Sequence, residues 1–171
     1  MSDMKIYTYP DSVLKTPAEP IRDINGDLQS IIDRMIETMY LAPGIGLAAN
    51  QVGILKRVIV FDCSPGEEKH SPHVLINPEI VAGEGSVKGE EACLSVPDYS
   101  AEVVRKLRVQ VKGLDRDGNP LGLEAEDLLA VCLQHEIDHL DGVLFIDRIS
   151  SLKRALYKKK LKKKKNKGLS E

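Results

Sequence analysis

The sequence predicts an α+β fold, with antiparallel sheets packed around a central helix that carries two histidines. A further helix precedes the sheets, and a basic helix or tail closes the chain. Three observations lead there. Apolar residues recur at helical spacing near the start. Several strand-like runs with a tight turn follow in succession. A second helical stripe comes after them. Helix, then strands, then helix is the order expected of an α+β chain.

The first helix rests on Leu28, Ile31, Ile32, Met35, Ile36 and Met39, which share one helical face. Its start is expected after Asn25-Gly26, and its end before Pro43, since proline cannot continue a helix. Strand candidates follow at residues 57–62, 74–77 and 103–114, the last of them alternating. Asp117-Gly118 predicts a tight hairpin turn. In the histidine-bearing helix Glu124, Glu126 and Asp127 are placed near the start, where acidic side chains suit the helix dipole. Leu128, Val131, Cys132, His135 and His139 then fall on one stripe. A packed domain turns that stripe inward, so the histidines are expected at the end of an apolar slot.

The chain has 171 residues and 42% hydrophobic content, enough for one globular domain. Residues 1–150 are expected to form that domain, and residues 151–171 a basic helix or tail. The tail holds ten Lys or Arg and one acid, Glu171, which leaves 14 basic against 25 acidic side chains in residues 1–150. The net charge of −2 therefore hides two opposed parts. A lysine block repels itself and stays solvated or partly helical. No apolar run approaches the roughly 20 residues that span a membrane, and no secretory leader opens the chain. Three sparse cysteines, Cys63, Cys93 and Cys132, argue against a disulfide framework and for a reducing cytoplasm.

The chemistry starts at QHEIDHLDG, from Gln134 to Gly142. Helix positions i and i+4 share a face, with Cβ atoms roughly 5–6 Å apart, so His135 and His139 can reach one metal ion. Glu136 is placed to handle protons beside the ion's open position. A third ligand is sought next. The metzincin pattern puts a histidine where this chain has Phe145. Downstream carboxylates are few: Asp141 is too close, Asp147 stays open, and Glu171 ends the lysine tail. Upstream, Cys132 lies on the helix as a small apolar group, and Cys63 ends an apolar run. Cys93 lies among small and polar residues, where a thiol has less reason to be core. One thiolate with two imidazoles suits a transition metal and leaves a position for water.

These residues also carry a family resemblance. The chain resembles the bacterial peptide deformylases in three ordered segments: GIGLAANQ (Gly44 to Gln51), EACLSVP (Glu91 to Pro97) and QHEIDHLDG. The opening YPDSVLKTPAEP and the hairpin LDRDGNP are similar too, so the likeness covers nearly all of residues 4–150. One position departs: the family's usual glycine is Ala92 here.

The resemblance implies an enzyme that hydrolyses the N-formyl group from the formyl-methionine of nascent polypeptides. It implies metal ligands Cys93, His135 and His139, with Fe(II) the usual ion and Zn(II), Ni(II) or Co(II) able to replace it. Glu136 would act as the general base. Gln51 Nε2 and the Leu94 backbone N–H would donate to the formyl oxygen, and Glu91 would support the site. The backbones of Ile45, Gly46 and Ala92 would pair with the peptide, and Arg105 would face it. Leu128, Val131 and Cys132, with Ile45, would take the methionine side chain. The lysine tail would contact the ribosome or serve as a solubilising tail. Two competing functions are a zinc peptidase of another type and a non-catalytic metal protein with an RNA-binding tail.

Overall fold

The computed structural model describes residues 3–64 and 70–169; Ser170 and Glu171, which end the tail, lie outside them. The first helix, α1, spans Gly26–Leu41. It starts where the Asn25 side chain accepts the Leu28 N–H at 3.0 Å, satisfying one of the donors that a helix start leaves free. Gly26 is thus its first residue rather than the residue before it.

Seven strands follow: β1 (Gly46–Ala48), β2 (Val58–Phe61), β3 (His73–Glu84), β4 (Val87–Cys93), β5 (Val96–Arg105), β6 (Arg108–Leu114) and β7 (Pro120–Glu126). Helices α2 (Asp127–Leu140) and α3 (Ser151–Leu169) complete the described residues. Five strands pair antiparallel in the order β1-β2-β3-β6-β7, while β4 and β5 form a separate two-stranded hairpin.

The β1–β2 end of the large sheet is buried on both faces, while β6, β7 and the far half of β3 keep one face exposed. Val58 and Val60 of β2 pack with Ile32, Met35 and Met39 of α1. Ile59 and Phe61 point the other way, onto Leu133, Ile137 and Leu140 of α2. A strand covered on both sides reads as an unbroken apolar run, which is why VIVF does not alternate. The hairpin has its own core of Val96, Val103, Leu144, Phe145, Ile146 and Leu14, closed over by Tyr157 of α3.

Three expectations are corrected. The alternating run at 103–114 is two strands, because the chain changes sheets at Lys106. There the Gln134 side chain takes the place of a ladder partner: it accepts from the Lys106 N–H and donates to its carbonyl, both at 2.9 Å. The strand predicted at 74–77 runs on to Glu84. Pro78 is tolerated because the register shifts between Ile76 and Glu79, a bulge where no ladder N–H is needed. Glu124 and Glu126 belong to β7, not to the start of α2, which begins at Asp127. Strands β1, β4 and β7 lie outside the three strand-like runs: β1 has three residues, β4 is rich in charge, and β7 follows the hairpin turn with only a short Leu121-Leu123-Ala125 alternation. The Asp117-Gly118 turn is present, with Gly118 at φ +90° and Asp115 accepting the Asp117 and Asn119 N–H groups at 2.9 Å.

Candidate active site

Helix α2 carries His135 and His139 one turn apart, with ring centroids 5.1 Å apart and edge to face. Cys93 ends β4, where the register slips between Ala92 and Cys93 as the hairpin turns. Its sulfur lies 3.3 Å from His139 Nε2 and accepts the Ser95 N–H at 3.4 Å. Gln51, from a 3-10 turn at Ala49–Val52, donates through Nε2 to Ser95 Oγ at 3.0 Å and to the Cys93 sulfur at 3.6 Å. Its Oε1 accepts the Ala48 N–H at 3.0 Å, which fixes the direction of the amide.

Among the described residues, the side chains of Cys93, His135 and His139 form one group whose donor atoms all lie within 4.8 Å of one another. Tetrahedral bonds of 2.3 Å to sulfur and 2.0–2.1 Å to nitrogen put donors about 3.5 Å apart, so the set fits one ion. The surroundings are prepared for positive charge. Burial, the largest influence, opposes a proton on His135, yet Cys93, Glu91 and Glu136 outweigh it and carry its pKa up to about 10. The same field favours a cation at the ring's inner nitrogen, since Nδ1 is already 2.9 Å from Glu91 Oε1. Burial, then the charges on His135 and Arg105, push His139 well below the ordinary range, so it stays neutral with a lone pair free to coordinate.

Glu136 sits beside these donors, its Oε1 4.0 Å from His135 Nε2. Oε2 is buried with no hydrogen-bond partner among the described residues. Burial raises the carboxyl to about 7, more than His135 and Arg105 lower it. A carboxyl that titrates near neutrality suits proton transfer in both directions.

Behind the histidines runs a buried chain of charge. Arg105 clamps Glu91 through two hydrogen bonds of 2.8 Å and reaches Asp138 at 2.6 Å. Arg148 holds Asp138 from the outside at 2.5 and 2.7 Å. Burial would raise Glu91, but Arg105 and His135 override it and hold the carboxyl at about 2. Glu91 is therefore an anion that fixes the His135 ring, as outer carboxylates do for metal-binding histidines.

The donors open onto a cleft of about 610 Å³. Ile45, Leu128, Val131 and Cys132 form an apolar wall, and Gly46, Gln51, Ala92, Leu94 and Glu136 line it too. Ala92 adopts ordinary extended backbone in register with Ser100 and is not among the residues with positive φ. Its methyl therefore carries no conformational penalty.

The family model for polypeptide deformylases matches residues 3–155. The chain belongs to this family. Deformylases in it remove the N-formyl group from nascent polypeptides and depend on a metal ion. A peptide deformylase of Thermodesulfovibrio yellowstonii is 61% identical over 165 residues, covering 96% of this chain and all of that relative. One of Chromohalobacter salexigens is 51% identical over 164 residues, 95% of each chain. The crystal structure of a peptide deformylase from Legionella pneumophila superposes with a TM-score of 0.89 at 44% identity, covering 99% of both chains. That of Ehrlichia chaffeensis in complex with actinonin gives 0.88 at 41% identity, over 96% of this chain and 98% of that one.

Of the residues expected in a deformylase site, the structure brings all but two to the cleft. His139 closes the donor set from behind it. Arg105, expected to face the peptide, turns inward to Glu91 and Asp138, because a buried guanidinium needs carboxylate partners. Sequence reasoning missed Ser95 and Asp138. Ser95 holds both Gln51 and Cys93, and its hydroxyl between Leu94 and Val96 was the available signal. Asp138, between the two histidines, gives no sign in sequence of its two arginines.

Proposed function

We propose that Cys93, His135 and His139 hold one divalent metal, and that Glu136, Gln51 and Leu94 carry out the hydrolysis of N-formyl-methionyl peptides in the cleft beside them. The observation that carries this reading is the buried Glu136 Oε2, without a hydrogen-bond partner among the described residues, next to three converging donors. The ion, when bound, supplies Lewis acidity that makes water a competent nucleophile at neutral pH.

The chain's own residues do the rest. Glu136 takes a proton from the attacking water and passes it to the methionine nitrogen as the C–N bond breaks, leaving formate and a free amine. Gln51 Nε2 donates to the formyl oxygen as negative charge builds there, with its amide already held by Ala48. The Leu94 N–H is the second donor. A fixed donor of this kind is worth about 3–4 kcal/mol in the transition state. The backbones of Ile45, Gly46 and Ala92 pair with the peptide as an added strand. Ile45, Leu128, Val131 and Cys132 receive the methionine side chain. The chemistry lies in residues 1–150.

Thiolate and imidazole donors accept Fe(II), Zn(II), Co(II) and Ni(II). Fe(II) is the ion we assign in the cell. Nascent chains place the protein in the cytoplasm; no helix among the described residues is long and apolar enough to cross a membrane. The lysines of α3 are assigned to ribosome contact.

The test is direct. Metal-loaded protein should release formate from a formyl-Met peptide and leave the acetyl counterpart intact. Glu136→Gln should keep its metal and lose about 10²–10⁴ in turnover. Equal cleavage of both peptides refutes the substrate, and full activity in Glu136→Gln refutes the base.

A further inference from the structure

We propose that helix α3 forms the far rim of the peptide cleft, and that its Lys164, paired with Asp98, sets how the enzyme ranks charged residues downstream of the formyl-methionine. This rests on the reading of the cleft as the peptide site.

Asp98 lies near the start of β5 and lines the cleft. Its backbone is at φ +59°, a conformation that aspartate tolerates better than most residues. Lys164 Nζ stands 2.8 Å from its carboxylate. Packing puts the lysine there. Tyr157 is buried and packs its ring, tilted by 30°, against Tyr99, another cleft residue, with ring centroids 4.4 Å apart. Leu161 joins the same apolar cluster. Tyr157, Leu161 and Lys164 follow at steps of four and three, so they share the face of α3 turned to the cleft wall.

The cleft also presents Glu90, which accepts the Ser100 hydroxyl at 2.6 Å. Two carboxylates thus line this part of the cleft, and α3 neutralises one of them. The residues that do so lie beyond residue 155, where the family match ends. A peptide side chain passing Asp98 meets an ion pair. With Lys164 removed, Asp98 keeps only the weaker influence of Lys160, so the side chain would meet a less compensated anion, which favours lysine over glutamate.

The experiment uses the full-length, metal-loaded protein and tetrapeptides beginning with formyl-Met. Lysine or glutamate is placed in turn at the second, third or fourth position. The readout is the ratio of kcat/KM for lysine over glutamate. Lys164→Ala should raise that ratio about two- to fivefold at one of the three positions, the size exposed ion pairs give. Adding Asp98→Asn should return it to the wild-type value, and about 0.5 M salt should abolish the difference. An unmoved ratio in Lys164→Ala, or an equal slowing of every peptide, overturns the inference. Wild-type protein that releases no formate from any of these peptides overturns the reading of the cleft itself, and the inference with it.

Discussion

Gly46 is where the cleft floor meets Glu136. A Cβ built on it would lie 2.9 Å from both Glu136 Cγ and Oε1, closer than real contacts allow. Glu136 is buried, so its carboxyl has little room to retreat. Gly46→Ala should therefore move the carboxyl rather than unfold the protein. Misplacing a reacting group by about 1 Å costs roughly a hundredfold, so kcat should fall ten- to a hundredfold with metal content retained. An unchanged kcat would show that the carboxyl position is not critical. Ala92 illustrates the opposite case. The family's glycine at that place could be read as a conformational need, yet ordinary extended backbone meets it here. Individual donors were legible because HExxH spacing and an isolated cysteine have few other uses. The inward turn of Arg105 was not, since an alternating strand does not reveal which residue finds a buried carboxylate.

At the scale of elements, the two apolar helices could be read from their stripes, and β2 from its apolar run. β4 could not, because its EEAC segment serves hairpin, charge network and one candidate metal donor at once. The long β3 was hidden by Pro78, which the bulge accommodates. Helix α3 raises its own question. Lys158, Lys159 and Lys160 stand four residues before Lys162, Lys163 and Lys164, like charges that weaken an isolated helix. A polyanion such as ribosomal RNA would relieve that repulsion and bind in a salt-dependent way. Deleting residues 158–171 should abolish co-sedimentation with ribosomes at low salt. Equal binding by the truncated chain would leave the lysines with a solubilising role alone.

For the whole molecule, Asp62 ties distant parts together. It accepts from the Ser64 hydroxyl at 2.5 Å, from Tyr40 Oη at 2.6 Å, from the Ser64 N–H at 3.0 Å and from the Ser71 N–H at 2.9 Å. Its own N–H donates to Ile45 at the cleft, at 2.8 Å. Burial would raise its carboxyl, but these hydrogen bonds override it and hold the pKa far below the ordinary range. Because the folded value is depressed, the stabilisation is complete above the unfolded pKa of about 4 and fades as pH falls below it. Glu91, held at about 2, acts in the same direction. Urea midpoints should thus drop between about pH 5 and pH 3, and less steeply in Asp62→Asn. Parallel curves for the two proteins would rule out Asp62 as a contributor.

The three donors come from two separately paired parts of the chain: Cys93 from the hairpin, and both histidines from the helix laid on the large sheet. An ion shared among them is a rivet through two plates. Ions that bind only the folded state add their binding energy to its stability. Cohesion and turnover would then draw on the same atom, and a chelator that halts one unfastens the other.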